Sequence, residues 1–242
     1  MTSADTSWLP WDRIAQLPAA DRRRTLVAQF CETISAPGFP CFFARQALTS
    51  EQIVFAYAAG SSDHVLNDCT LALRRLAARI RHAPELTGVL LVDVDDCRTI
   101  DEDEAFAGKL LRHLIAASAT RWPSDAPRDP SDPHWTLWID GVGFFLNIST
   151  PRHTRRRSRN VGDAIAVIAQ ARATFDAPAP SDPRVRGNIR RRIREYDSVP
   201  VHGALGRYGS PGTREIDQYF LGDGDSCAGS RAAHAESESA QR

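Results

Sequence analysis

The chain has 242 residues, enough for one large domain or two small ones with a substantial core. Thirty basic residues balance thirty acidic ones, so the chain lacks the basic excess expected of a protein whose main task is to coat DNA or RNA. Five scattered cysteines without a C-x-x-C pair indicate reduced thiols and argue against a structural zinc site.

The beginning of the chain has no charged start followed by an apolar segment, and no stretch approaches about eighteen apolar residues. We therefore expect a soluble, cytoplasmic protein without a membrane partner. The motifs G-x-G-x-x-G, P-loop, H-E-x-x-H and G-x-S-x-G are absent from the sequence, which removes the commonest nucleotide, zinc-protease and hydrolase functions.

The first half of the chain predicts helices alternating with strands. Apolar residues recur at helical spacing in "DRRRTLVAQFCETIS". Two strand-like runs follow, "FPCFFA" and "QIVFAYA", as a hairpin or neighbouring pair. We expect a second helix from Ser62, an N-cap candidate, to Ile80, and then a strand buried on both faces in "TGVLLVDV". A third helix is expected from the acidic "DEDE" at Asp101 to about Ala119, since carboxylates favour the first turn of a helix.

The second half predicts a hairpin, one more strand and a basic helix. After a Pro-rich loop, the strands "HWTLWI" and "GVGFFLNIS" are joined by a tight Asp140-Gly141 turn. The run "DAIAVIAQA" favours a strand, with a helix as the alternative. A short helix is predicted in "DPRVRGNIRRRIREYD", with Asp182 as its cap and Pro183 at its first position.

These elements predict a single α+β domain over residues 1–222. It would hold a mixed, mainly antiparallel sheet of about six strands flanked by helices. Residues 223–242 are rich in Gly, Ser, Ala and Asp and are predicted to form a disordered C-terminal tail, because they offer little apolar surface to bury.

An arginine cluster follows the predicted strand "GVGFFLNIS". Five arginines and one histidine fall within the eight residues from Arg152 to Arg159. The cluster fits a nucleic-acid-binding loop, a solvated loop with a compositional bias, or an anion site in which guanidinium groups hold carboxylates or phosphates. Turn and cap residues at Ser158, Asn160 and Gly162 favour an ordered loop, and an ordered loop favours the anion site.

Single side chains in three places could act as ligands. His153 lies inside the arginine cluster, and His202 lies among the glycines and prolines of "VPVHGALGRYG". Cys41 lies in an apolar run, where a free cysteine is most often a small buried hydrophobic residue and otherwise a thiolate metal ligand.

Four segments together resemble the YqcI/YcgG family: "FPCFFARQAL", "NISTPRHTRRRSRN", "RRRIREYDSVPVHGALGRYG" and "REIDQYFLGD". The resemblance extends from about Phe39 to Asp223. It implies non-covalently bound haem b and hydroxylation of a guanidine nitrogen, as in family members that serve antibiotic or other specialised-metabolite biosynthesis. The chain departs from the family pattern at Ile216, where an aromatic residue is expected.

The resemblance also implies roles for individual residues. The iron ligand would be His153, with His202 and Cys41 as alternatives. Propionate partners would come from a set of arginines beside that histidine: Arg155, Arg157 and Arg159. The catalytic site would include His202 and a carboxylate partner for the substrate guanidinium, with Glu215 and Asp197 as candidates.

The function implied by the resemblance is an iron-dependent monooxygenase that converts L-arginine or a related guanidine to its N-hydroxylated product. Dioxygen and an external electron donor would be its other partners, and a homodimer is an assembly that we leave open. Two alternatives remain. One is a haem sensor or carrier without catalysis, and the other is a nucleic-acid-binding protein that uses the arginine loop.

Overall fold

A computed structural model of the chain describes residues 7–60, 62–94, 99–176 and 183–224. Within these ranges the strands are β1 (Leu9–Pro10), β2 (Ile53–Gly60), β3 (Thr87–Val94), β4 (Leu137–Ile139), β5 (Val142–Ser149) and β6 (Ile165–Ala171). They form one six-stranded sheet in the order β1-β2-β3-β6-β5-β4. Strands β2 and β3 are parallel, and the other neighbouring pairs are antiparallel.

The helices surround this sheet, so the prediction of an α+β fold with a mixed, mainly antiparallel sheet is confirmed. They are α1 (Trp11–Ala15), α2 (Arg22–Ser35), α3 (Phe42–Thr49), α4 (Ser62–Ile80), α5 (Ile100–Ser118), α6 (Arg172–Asp176) and α7 (Pro183–Tyr196). No helix within the described ranges has the length and apolar character needed to cross a membrane.

Most predicted elements occur where the sequence pattern placed them. Helix α4 and strand β3 match the predicted bounds, and "DAIAVIAQA" forms a strand rather than a helix. The turn between β4 and β5 is confirmed as well, because Asp140 and Gly141 have φ angles of 48° and 80°, the two positive values that a type I′ turn requires. The predicted cap Asp182 lies outside the described residues, as do residues 225–242 of the predicted tail.

The prediction of a strand in "FPCFFA" is wrong. Phe42 begins helix α3, whose sequence "FFARQALT" consists largely of good helix formers. Phe39 is buried at 5 % exposure, whereas Phe42 is 58 % exposed. Because Cys41 has an extended backbone and its Sγ accepts a hydrogen bond from the N–H of Ala44, it caps the helix.

Successive side chains of each strand point to opposite faces of the sheet, so the core has two layers. In β3, Leu90 and Val92 pack under α4 and α5, whereas Val89 and Leu91 pack under α2. The first face is sealed by a large apolar cluster. On the second face, the β5–β6 half of the sheet carries the polar residues Asn147 and Gln170 and faces a cavity.

Candidate functional site

The cavity has a volume of about 370 Å³, within the usual range of small-molecule sites. Its floor is the second face of β5 and β6, where Phe145, Asn147 and Ser149 alternate toward it. From Ser149 to Phe145 the strand spans about 13 Å. Its walls come from α2, α3, α7 and the arginine loop, and their apolar residues are Phe30, Ile34, Phe39, Phe43, Ile189 and Ile193.

Cys41 is an exposed residue that lines this cavity. Burial raises the pKa of the Cys41 thiol, although the N–H groups of Ala44 and Phe43 and the charges of Arg192 and Arg159 act in the opposite direction. Bound metal would reverse this balance, because a coordinating thiol loses its proton. Cys41 is therefore an exposed candidate sulfur ligand at a helix N-terminus.

Two arginines of the cluster point inward and connect its loop, residues 152–160, to the final segment of the described chain, residues 197–224. The Arg156 guanidinium donates to the carbonyls of Gly222, Pro200 and Gly224 at 2.8 to 3.2 Å. The Arg159 guanidinium donates to Asn147 Oδ1 at 2.6 Å and to backbone carbonyls of the final segment, those of Gln218 and Tyr219. Burial lowers the pKa of Arg159 to about 10. Both residues line the cavity.

Carboxylates hold the loop backbone in place. Asp223 accepts hydrogen bonds from the N–H groups of Thr154, Arg155 and Arg156 at 2.8 to 3.0 Å. Burial alone would raise the pKa of Asp223, but these N–H groups hold it below its usual value. Asp197 accepts from the N–H and hydroxyl of Ser158 at 2.7 and 2.8 Å. Asp197 is thus occupied by the loop and does not line the cavity.

The other predicted propionate partners lie on the outside of the loop. Arg155 is exposed, and neither Arg155 nor Arg157 lines the cavity. Arg157 is also exposed, stacks on the Tyr196 ring at 4.8 Å and donates to the Tyr196 carbonyl. Only Arg159 of the predicted set therefore lies at the cavity, where it is joined by Arg156.

His153 is an internal residue. It is completely buried, and its ring packs on Phe220 with ring centres 5.4 Å apart. Nε2 lies 2.6 Å from the Leu221 carbonyl, and because a carbonyl only accepts, Nε2 carries the hydrogen. Burial lowers the pKa of His153. The side chain does not line the cavity, and Nδ1, which has no hydrogen-bond partner, is the ring nitrogen left for a ligand role.

His202 and Glu215 lie beside the cavity rather than on its wall. His202 is buried, and its Nδ1 accepts from the N–H of Ala204 at 3.1 Å. Glu215 is buried at 1 % exposure, and its Oε1 lies 2.6 and 2.9 Å from the hydroxyls of Thr136 and Tyr219. Burial, followed by the charge of Glu215, raises the pKa of Tyr219.

The sequence patterns missed Arg172, the first residue of α6. Its Nη1 lies 3.0 Å from Oε2 of Glu215, and both side chains are largely buried. The guanidinium carbon lies 4.4 Å from the centre of the Tyr208 ring and 5.5 Å from that of Phe145. Since Arg172 lines the cavity, this network places a fixed guanidinium at the Phe145 end of its floor.

Helix α7 was predicted, but its role as a wall was not. Arg186, Ile189, Arg190 and Ile193 recur at helical spacing and line the cavity. The spacing in "RVRGNIRRRI" would have revealed a face with alternating cationic and apolar residues. What the sequence could not reveal is that the sheet lies opposite this face.

The cavity as a whole is apolar with a cationic border. The charged residues among its described lining are all arginines: Arg156, Arg159, Arg172, Arg186 and Arg190. The described residues include no cluster of three or more His, Cys, Asp or Glu side chains that could hold a metal ion by themselves.

Comparison with known proteins identifies relatives across most of the chain. The model of the YqcI/YcgG family matches residues 30–231. A Streptomyces lavendulae protein provisionally named Nω-hydroxy-L-arginine synthase DcsA is 33 % identical over 198 residues, which cover 78 % of this chain and 74 % of that protein. Bacillus subtilis YcgG, an uncharacterised protein, is 31 % identical over 78 % of each chain. Uncharacterised YqcI from the same organism is 29 % identical over 76 % of each. No solved structure matches the chain significantly.

Proposed function

Because the chain belongs to the YqcI/YcgG family, we propose that it is a haem-dependent monooxygenase that hydroxylates a guanidine nitrogen, in the first instance that of L-arginine. The observation that carries the proposal is the cavity, which combines an accessible cysteine, apolar walls and arginines. The name of the Streptomyces relative supports the substrate.

The described residues fit haem b in character. A porphyrin is apolar over its ring and carries two propionates, so its site needs apolar walls and cations. Helix α7 offers both on one face, since Ile189 and Ile193 alternate with Arg186 and Arg190. These two arginines and Arg159 would be the propionate partners.

Cys41 would be the axial ligand in this proposal, in place of the histidine that the sequence favoured. Of the three candidates, Cys41 is the one that lines the cavity. At the N-terminus of α3 the helix dipole and the N–H of Ala44 would stabilise an anionic sulfur, and coordination to iron would offset the burial that raises the pKa of the thiol. His153 and His202 would support the loops around the site.

Bound haem would supply dioxygen activation at iron, and a thiolate ligand favours cleavage of the O–O bond. In the overall reaction one oxygen atom enters an N–H bond of the guanidine to give N–OH. The other oxygen atom leaves as water after uptake of two electrons and two protons. The electrons would come from an external donor. We also propose that the enzyme acts in the cytoplasm, within a specialised-metabolite pathway.

The chain's own residues would bind and enclose the substrate. The apolar side chains of α2, α3 and α7 would exclude water from the cavity, which strengthens the remaining polar contacts. No described lining residue is an acid, so the predicted pairing of the guanidinium with Glu215 or Asp197 is not favoured. The amide oxygen of the lining residue Gln170 is the alternative acceptor, since its amide nitrogen donates to the Thr87 hydroxyl and its oxygen is oriented by that bond.

Turnover of L-arginine by the haem-loaded protein tests the proposal. With ¹⁸O-labelled dioxygen and a chemical or enzymatic reductant, we expect Nω-hydroxy-L-arginine with one labelled oxygen atom. A folded protein that takes up haem but forms no hydroxylated guanidine would instead be a haem carrier or sensor. A folded protein that cannot take up haem would contradict the proposal altogether.

A further inference from the structure

The cavity contains more positive charge than binding of a guanidinium substrate explains. A guanidinium is itself a cation, yet the charged residues of the described lining are arginines only. Like charges at short range repel each other, and the repulsion grows as water is excluded. Anionic groups on the molecules that fill the cavity would offset this charge.

The arginines of the lining differ in how they are held. Arg156 and Arg159 donate to several backbone carbonyls and join the loop to the final segment. Arg190 is exposed on α7 and donates to the Leu205 carbonyl at 2.8 Å. These contacts position the first two at the cavity and leave the third on a surface helix, which is compatible with the role proposed for Arg159 and Arg190 as propionate partners.

Arg172 is held differently, by an anion and two aromatic rings. Oε2 of Glu215 lies 3.0 Å from its Nη1, and its side chain is 11 % exposed. Tyr208 and Phe145 pack against the guanidinium and limit its rotation. Tyr208 is itself fixed, because its hydroxyl donates to the His134 carbonyl at 2.5 Å. The guanidinium is therefore oriented before any ligand arrives, which reduces the entropy lost on binding.

We propose that Arg172 is the carboxylate anchor of the cavity. Glu215 orients the guanidinium from behind, and the ligand's carboxylate approaches it from the cavity. This inference rests on the proposed function, which supplies two sources of that carboxylate: an amino-acid substrate or a propionate of the cofactor. Planar guanidinium and carboxylate groups pair in two-point fashion, so Arg172 would also fix the orientation of the ligand.

Replacement of Arg172 tests the anchor on two substrates that differ only in the carboxylate. The double variant Arg172→Gln/Glu215→Gln removes both charges, so no unpaired acid is left buried. If the substrate supplies the carboxylate, KM for L-arginine rises about 10- to 100-fold while KM for agmatine, its decarboxylated analogue, is unchanged. Arg172→Lys keeps the charge but loses the two-point donor geometry of the guanidinium, so it should keep part of the preference for arginine over agmatine. This variant replaces the double variant if the latter does not fold.

Titration of the apoprotein with hemin tests the other source independently of activity. If a propionate is bound, the affinity for hemin falls about 10- to 100-fold in the double variant, and both substrates respond alike. The control Arg191→Gln removes an exposed α7 arginine outside the cavity lining and should change neither quantity. Unchanged hemin affinity together with an unchanged ratio of the two KM values would overturn the proposal. Absence of any turnover in wild type would refute the proposed function, while the hemin titration would still decide the propionate source.

Discussion

Cys41 and His153 differ in what their surroundings allow them to bind. Both lie beside helices or loops of the cavity wall, and both are ligand types that iron accepts. Cys41 is exposed and lines the cavity, whereas His153 has its Nε2 bonded to the Leu221 carbonyl and its ring packed on Phe220. At the scale of single residues, accessibility rather than residue type favours Cys41 over His153 as the proposed ligand.

The buried His153 should make the protein sensitive to mild acid. Its folded-state pKa is lowered, so the unfolded state binds a proton more readily. Above a pH of about 6.5 neither state carries that proton and the effect vanishes. Below it, the free energy of unfolding should fall by up to about 1.4 kcal/mol per pH unit until the folded state is protonated too.

Urea unfolding of the apoprotein between pH 7 and pH 5 measures this effect. His153→Gln can still donate to the Leu221 carbonyl but does not titrate, so its stability should decline less steeply over that interval. The same pH dependence in wild type and variant would contradict this account of His153. The variant should still bind hemin. If the folded variant did not bind hemin, His153 would again be the favoured iron ligand.

Helix α7 is the element that forms the mixed cationic and apolar wall of the cavity. Its inward face carries Ile189 and Ile193 between Arg186 and Arg190. None of its described side chains is fully buried, which is unusual for a helix that packs only on a protein core. The face is suited to an apolar ligand with anionic groups, and such a ligand would complete the packing of the helix.

A single acidic substitution on this face should weaken cofactor binding. In Ile193→Asp, a carboxylate replaces apolar contact and repels the propionates, so we expect hemin affinity to fall at least about tenfold. Val185→Asp is the matched control, because Val185 lies on the same helix outside the cavity lining. Titration by Soret absorbance measures both variants. If hemin affinity fell equally in both variants, or fell in neither, α7 would not be part of the cofactor site.

Elements with a regular pattern could be predicted from the sequence, and the site could be predicted only in part. Strand β3 and helix α4 could be predicted because each has a long apolar pattern. The segment "FPCFFA" was predicted wrongly, because two adjacent phenylalanines suggest a strand. The sequence alone does not show that Cys41 caps a helix there. Arg172 escaped prediction because its partner Glu215 is distant in sequence and meets it only in the folded chain.

At the scale of the whole molecule, the two faces of the sheet have separate tasks. Helices α4 and α5 seal the first face with a continuous apolar cluster that stabilises the fold. The second face is packed under α2 and opens into the cavity beside β5 and β6. The neutral net charge of the chain gives no sign of this arrangement, in which the charged residues of the described cavity lining are arginines. Glu215 pairs with one of them, Arg172, and Asp197 and Asp223 hold the backbone of the arginine cluster.

The absorption spectrum of the ferrous carbonyl complex tests the central claim most directly, namely that this cavity binds haem through Cys41. For the haem-loaded wild type we predict the strongly red-shifted Soret band that marks a thiolate ligand. In Cys41→Ser, with folding checked by circular dichroism, we predict loss of this band. A Soret band of the imidazole type in wild type, or an unchanged spectrum in Cys41→Ser, would contradict the account.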